Sequence, residues 1–195
     1  MNLQALFEKQ KQLDDYIIQK KGLEGQELLP NKILALQVEL GELANEWRGF
    51  KHWSIDQQPR YERKCHACKG IGAFGDSEPC LYCGGTGVEA RPLLEEYIDC
   101  LHFILSIGLD LGVPDEYIVD LDDPFDPDEG DLTLQFMKVI ALSTVEYPFS
   151  HAGDWFPLME QFIALGELLG LTREQIEQAY NVKWEENVRR QDTGY

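Results

Sequence analysis

Leu36-Gln37-Val38-Glu39-Leu40-Gly41-Glu42-Leu43-Ala44-Asn45-Glu46-Trp47 is the stretch whose reading decides the fold. Its leucines and closing tryptophan recur at spacings of three and four, the period of an α-helix that buries one face. This predicts a helix that follows Pro30 and reaches about Phe50. Downstream, Ile98, Leu101, Ile104, Leu105 and Ile107 leave the segment Leu93 to Leu111 apolar on most sides, so that helix belongs at the centre of the molecule. It opens at Pro92, a favoured first-turn position, and continues to Gly112. Four more helices complete the frame. Asn2 caps the first and Gly22 stops it. Asp131 caps another that ends before Pro148. One spans about Trp155 to Leu169 and stops at Gly170, and the last opens with a Thr172/Gln175 capping box and runs towards Arg190. No segment sustains period-two alternation. The expected fold is all-α, a helical bundle interrupted by two inserts.

The 195 residues suffice for one core and a small accessory module. Lys and Arg total 17 against 35 Asp and Glu, a net charge of −18. Such a field repels polyanions, so nucleic-acid polymers are not expected partners. A nucleotide arriving with metal ions is still compatible, because the cations reverse the local electrostatics. The most apolar segment, Leu93 to Leu111, carries Glu95, Glu96, Asp99, His102 and Asp110, so no membrane span is expected. Met1-Asn2-Leu3-Gln4 lacks the basic and apolar regions of a signal peptide. The chain is expected in the cytoplasm.

The first insert, residues 59–91, contains an internal repeat: Cys65-His-Ala-Cys68-Lys-Gly70-Ile-Gly72 and Cys80-Leu-Tyr-Cys83-Gly-Gly85-Thr-Gly87. Both octets fit C-x-x-C-x-G-x-G. Four thiolates in two such pairs make a tetrahedral Zn²⁺ site, with the glycines letting backbone amides turn towards sulfur. The repeat resembles half of the cysteine-rich domain of DnaJ-type chaperones. So small a module has too little core to fold alone, so one structural Zn²⁺ is expected to supply its folding energy. The second insert, residues 114–131, has nine acidic residues and no basic one, with Pro124 and Pro127 opposing helix. It reads as a solvated acidic linker. The bundle itself comprises residues 1–58 and 92–195.

Glu39 and Glu42 share one face of the second helix, at the rim of its apolar stripe. Glu96, Asp99, His102 and Ser106 share a face of the third. Two unit charges about 4 Å apart repel by roughly 4 kcal/mol at an effective dielectric of about 20. With no Lys or Arg on either stretch, converging carboxylates require metal ions, and all-oxygen ligands suit Mg²⁺ or Mn²⁺. A di-iron centre would use two Glu-x-x-His motifs, and no glutamate here has one. On the last helix Lys183, Asn187 and Arg190 fall on one face, near Tyr195. No Ser or Cys sits in a nucleophile-type turn, and Cys83-Gly-Gly-Thr-Gly lacks the ending of a phosphate-binding loop.

Taken in order, Leu36-Gln-Val-Glu39-Leu-Gly-Glu42-Leu-Ala-Asn-Glu46-Trp, Phe50-Lys-His-Trp53 and Glu96-Tyr-Ile-Asp99-Cys-Leu-His102-Phe-Ile-Leu-Ser106 resemble the core motifs of the dimeric, all-α dUTPases. These belong to the all-α nucleoside triphosphate pyrophosphatases. The tail from Tyr180 to Tyr195 is similar to that family's closing motif, and Gln10-Lys-Gln-Leu-Asp14-Asp15 fits its first more loosely. The resemblance implies a homodimer that hydrolyses dUTP to dUMP and pyrophosphate. It implies Glu39, Glu42, Glu96 and Asp99 as ligands for two or more Mg²⁺, with Glu39 first and Glu42 second as the carboxylate that deprotonates water. Lys183, Arg190 and Tyr195 would contact phosphates, with Lys51 a further contact. Asn187 would lie by sugar or phosphate, and Gln10, Asp14, Trp53 and His102 would surround the base. One departure stands out: the family usually has Asn where this chain has Asp14. A carboxylate only accepts hydrogen bonds, so a cytosine amine becomes an alternative to uracil, and dCTP an alternative substrate. A third reading is a non-enzymatic protein that grips a partner through its cysteine module.

Overall fold

The computed structural model describes residues 1–74, 78–113, 130–144 and 152–194. Among them are six α-helices and four strands of two or three residues. Helix α1, Leu3–Lys21, begins where the Asn2 side chain accepts from the Ala5 amide. It ends at Gly22, whose left-handed φ of 64° lets its own amide and that of Leu23 close onto Gln19 and Ile18. Leu3, Leu6, Phe7, Gln10 and Leu13 form its buried face. A glutamine on that face becomes important at the site below.

Helix α2, Leu29–Trp47, carries Leu36, Leu40 and Leu43 fully into the core. It stops three residues short of the expected Phe50. Arg48 takes a left-handed φ of 66° and its buried guanidinium reaches the backbone carbonyl and the carboxylate of Asp56. That tertiary anchor turns the chain where the sequence pattern would have let it continue.

Helix α3, Pro92–Asp110, buries thirteen of its nineteen residues and is the central helix. It packs most extensively on α2, and also on α1 and on the last two helices. Helix α4, Leu132–Leu142, is capped by Asp131, whose carboxylate accepts from Thr133 and Leu134. A short 3-10 turn, Ala152–Asp154, leads into α5, Trp155–Leu168. There Gly166 lies against the ring of Tyr97, and an added Cβ would come within 2.5 Å of the phenol oxygen. Only glycine allows α5 that approach, which the Tyr97 hydroxyl fixes by donating to the Phe162 carbonyl at 3.1 Å. Helix α6, Arg173–Asp192, opens with the Thr172/Gln175 capping box and packs on α1 and α3. Full burial of each large apolar side chain in this core is worth about 1.5–3 kcal/mol. The residues 114–129 and 145–151 lie outside the described set, and with them nearly all of the acidic linker.

The strands belong to the cysteine-rich insert. β1, Arg63–Lys64, pairs antiparallel with β4, Val88–Ala90, and β2, Ala73–Phe74, with β3, Glu78–Pro79. They are too short to alternate visibly, which is why the sequence pattern hides them. The two octets are related by a pseudo-two-fold exchange. The Cys65 amide donates to Gly87 and the Cys80 amide to Gly72, both at 2.8 Å. A Cβ on Gly72 would lie 2.4 Å from the Gly85 carbonyl oxygen, and one on Gly87 2.5 Å from that of Gly70. The repeated glycines are therefore the contact between the halves. Arg60 ties the insert to the bundle: its amide donates to Glu46 at the end of α2, and its carbonyl accepts from Leu93 at the start of α3.

Candidate active site

Helices α2 and α3 place three carboxylates together. Oxygens of Glu39, Glu96 and Asp99 all lie within 4.8 Å of one another. Glu42, also expected in this set, lies outside that radius, yet its charge acts on both Glu39 and Glu96. Burial raises the pKa of Glu96 to about 7, and Asp99, Glu42 and Glu39 push it further in the same direction. Glu39 is raised by burial and then by Asp99 and Glu42. Asp99 is raised by burial, against the pull of Lys183, which donates to it at 2.5 Å. Lys183, with Arg190 also acting on Asp99, still leaves this group of half-buried acids short of positive charge. A hard divalent cation with oxygen ligands fits that deficit.

Beside the cluster is a cavity of about 340 Å³ between α1, α3 and α6, walled also by Lys32 and Glu39 of α2. Glu39, Asp99, Gln10, Asp14, His102, Lys183, Asn187 and Arg190 all line it. Eight residues drawn from four helices thus meet in one place. Arg190 pairs with Glu186 at 2.7 Å along its own helix.

Gln10, Asp14, His102, Ser106 and Tyr180 form one polar network. The Gln10 amide nitrogen donates to Asp14 at 2.7 Å, and its oxygen accepts from the Tyr180 hydroxyl at 2.7 Å. The carboxylate partner fixes which end of the amide is which. The amide oxygen therefore also accepts from Nδ1–H of His102, 2.7 Å away. Burial lowers the His102 pKa to about 3, with Lys183 acting in the same sense, so the imidazole is neutral. Its Nε2 is then a bare acceptor, buried and without a hydrogen-bond partner. The Tyr180 ring stacks on it at 4.3 Å. Asp14 also accepts from Ser106 at 2.5 Å and faces Lys32 at 3.6 Å, while Lys32 pairs with Asp110 at 2.7 Å.

Lys51 and Trp53 are not among the residues around this cavity. Lys51 donates to Asn45, and Trp53 is 67% exposed against Phe50 and His52. Tyr195 lies outside the described residues. Lys32, Phe103 and Tyr180 belong to the cavity or its supporting network without having been singled out. Spacing could have flagged two of them, since Lys32 is seven residues before Glu39 and Tyr180 three before Lys183.

The four insert thiols also converge, with all Sγ atoms within 4.8 Å of one another. Cys65 and Cys80 are 3.9 Å apart, and Cys68 and Cys83 are 3.8 Å apart. A tetrahedron with arms of about 2.3 Å has edges of about 3.8 Å, the geometry of a four-sulfur zinc centre. Amides of Gly72 and Gly87 donate to Cys68 and Cys83, each at 3.2 Å. Burial opposes ionisation of Cys83, but the Gly87 amide and the facing thiols outweigh it and bring its pKa down to about 6. A groove of about 710 Å³ separates β4 from α3 and α6 and shares Lys183 and Arg190 with the first cavity. The insert thus abuts the site.

None of the described helices is long and apolar enough to cross a membrane. No curated protein matches the chain. A family model described as dUTPase matches residues 2–65 and 85–195, leaving out most of the cysteine module and taking in every bundle helix. With the carboxylate cluster and cavity inside the matched stretches, the chain belongs to the dUTPase family and is a dUTP diphosphatase.

Proposed function

We propose that the chain hydrolyses dUTP to dUMP and pyrophosphate with Mg²⁺ held by Glu39, Glu42, Glu96 and Asp99. The observation that carries this is the convergence of Glu39, Glu96 and Asp99 beside a nucleotide-sized cavity, with Lys183 bonded to Asp99 and Arg190 acting on it from the same cavity. Mg²⁺ bound there supplies Lewis-acid neutralisation of the triphosphate. Glu39 lines the cavity and its raised pKa suits a proton acceptor, so it positions a water and takes its proton as the oxygen attacks the α-phosphorus. Glu42 is the second choice for that role. The P–O bond to the β-phosphate breaks, and Lys183, Arg190 and Tyr195 hold the negative charge that leaves with pyrophosphate. Asn187 contacts sugar or phosphate, and Gln10, Asp14 and His102 enclose the base. Lys51 and Trp53 reach the nucleotide only if the segment after α2 closes over it.

Residues 59–91 form a zinc module within a bundle made of residues 1–58 and 92–195, and one Zn²⁺ on Cys65, Cys68, Cys80 and Cys83 holds it folded. Those thiols call for a reducing compartment, in keeping with the cytoplasm. The exposed rows Leu34/Val38 on α2 and Leu134/Met137 on α4 supply apolar surface for a homodimer. The test is turnover of dUTP with Mg²⁺, scored for pyrophosphate against inorganic phosphate, in the native protein and in Glu39→Gln. Pyrophosphate release is expected from the native protein only. An active Glu39→Gln removes that carboxylate from the mechanism, and inorganic phosphate as product overturns attack at the α-phosphorus.

A further inference from the structure

The groove between the insert and the bundle continues the line on which the nucleotide cavity and the carboxylate cluster lie. Along α3, His102 and Ser106 follow Asp99 by three and seven residues and join the network of Gln10 and Asp14. Arg91, at the start of the helix, precedes Asp99 by eight residues, about 12 Å at a rise of about 1.5 Å per residue. The carboxylate cluster therefore stands between that network and Arg91. Lys183 and Arg190 line both the cavity and the groove, and Lys183 is bonded to Asp99. A nucleotide with its base at the Gln10 network and its α-phosphorus at the cluster directs its remaining phosphates towards the groove.

The chain as a whole has 35 acidic residues against 17 basic ones. The groove reverses that balance, with Arg63, Arg91, Lys183 and Arg190 on its walls against three glutamates. Each glutamate is already engaged. Glu89 accepts from the His66 amide at 3.0 Å, Glu95 from the Arg91 amide at 3.1 Å, and Glu186 pairs with Arg190 at 2.7 Å. Arg63 stands opposite Ala90 in the β1/β4 register, so it is a neighbour of Arg91 on the insert. The partners of these two arginines are loose. Arg63 Nε is 3.5 Å from Glu89 and Arg91 Nε is 3.7 Å from Glu62, with side chains 61% and 55% exposed. Exposed pairs of that length contribute little, so exchanging a carboxylate for a phosphate costs little. A guanidinium fork grips phosphate oxygens two at a time. Leu94 and Ile98, buried along the groove, bring no side-chain hydrogen-bonding group to compete.

We infer that the cysteine-rich insert completes the phosphate end of the site, with Arg63 and Arg91 binding the terminal phosphate of the substrate and then the departing pyrophosphate. The terminal phosphate lies two P–O–P links beyond the α-phosphorus. It shortens the distance to Arg91 from one side, and the arginine side chain shortens it from the other. The insert thereby acts as a specificity element that favours a triphosphate chain. The inference rests on the reading of the first cavity as the nucleotide site.

The experiment measures dUTP turnover and its inhibition by pyrophosphate and by dUMP, at fixed free Mg²⁺, with the full zinc-loaded chain. The native protein is compared with the double variant Arg63→Gln/Arg91→Gln. In the variant, kcat/KM for dUTP is expected to fall, and the inhibition constant of pyrophosphate to rise, by about tenfold or more, the loss of charge-assisted contacts. The constant for dUMP, which lacks the two leaving phosphates, is expected to stay within about twofold of the native value. An unchanged pyrophosphate constant overturns the inference, as does a native protein that turns over dUTP without inhibition by pyrophosphate. Equal weakening of pyrophosphate and dUMP also overturns it, since the arginines then only support the shape of the site. No turnover of dUTP by the native protein overturns the nucleotide reading itself. Should the double variant lose its zinc, Arg63→Lys/Arg91→Lys keeps the charge without the fork. A rise of about threefold or more in its pyrophosphate constant alone supports the inference, and no selective rise overturns it.

Discussion

Glu96→Gln in protein without Mg²⁺ tests the electrostatic account of the carboxylate cluster directly. In the folded chain Glu96 holds its proton up to a pH of about 7, because burial and then Asp99, Glu42 and Glu39 disfavour its charge. In the unfolded chain it ionises near its ordinary value of 4.5. A raised carboxylate pKa stabilises the fold fully below that ordinary value, and the contribution is lost as pH rises through about 7. The difference of about 2.5 units corresponds to about 3.4 kcal/mol at most. Glu96 is only half-buried, so solvent screening reduces this by about half, to roughly 1.5–2 kcal/mol. Glutamine resembles the protonated side chain at all pH values. The two proteins should therefore be nearly equally stable at pH 4, below the ordinary value, and Glu96→Gln more stable by that amount at pH 8. His102 must gain a proton on unfolding below pH 6.5 and so bends both curves in the opposite sense, but it cancels in the difference. Urea unfolding followed by tryptophan fluorescence, with Zn²⁺ retained, reads the difference as a midpoint shift at constant slope. Equal stability differences at pH 4 and pH 8 would refute the account. Saturating Mg²⁺ should reverse the order at pH 8, since the ion binds the native carboxylate and not the amide.

Lys183→Met removes the cation that competes for Asp99, so the apparent Mg²⁺ requirement should drop by about threefold or more while kcat falls by about tenfold or more. A higher Mg²⁺ concentration needed for activity in metal titrations would instead make Lys183 a support for the metal site. Tyr180→Phe takes one donor from the Gln10 oxygen, and the KM for dUTP should rise by about five- to tenfold with kcat little changed. A loss confined to kcat would place Tyr180 near the reacting phosphate. Gly87→Ala forces a methyl against the Gly70 carbonyl at a φ of 76°, which costs about 1–3 kcal/mol. Zinc should then leave the protein at lower denaturant, read by a chromogenic chelator, while native-like retention would mean the two octets do not rely on this contact.

Helix identities were legible because each depends on local signals: Asn2, Asp131 and the Thr172/Gln175 pair cap as their residue types dictate, and Gly22 and Gly170 close as expected. The facing of Glu96, Asp99 and His102 was legible for the same reason, since three-residue spacing fixes a helix face without reference to the rest of the chain. What spacing cannot report is which faces meet. The pairing of Lys32 with Asp14 and the stack of Tyr180 on His102 arise from helix packing across the bundle. The end of α2 was misjudged because Arg48 turns the chain through a contact with Asp56, eight residues on. Asp14 was visible as an unusual acid, but its partners Gln10, Ser106 and Lys32 come together around it only once the helices are packed.

The insert leaves and re-enters the bundle at one residue, Arg60, whose amide touches the end of α2 and whose carbonyl touches the start of α3. Its termini are thus pinned together before the cysteine segment begins, and the chain between them is closed almost independently of its length. Such an attachment behaves as a socket. A shorter turn, or a different folded cassette, could be plugged in there without shifting the helices that carry Glu39 and Asp99, which makes this junction the natural place to graft a reporter or a tether onto the enzyme.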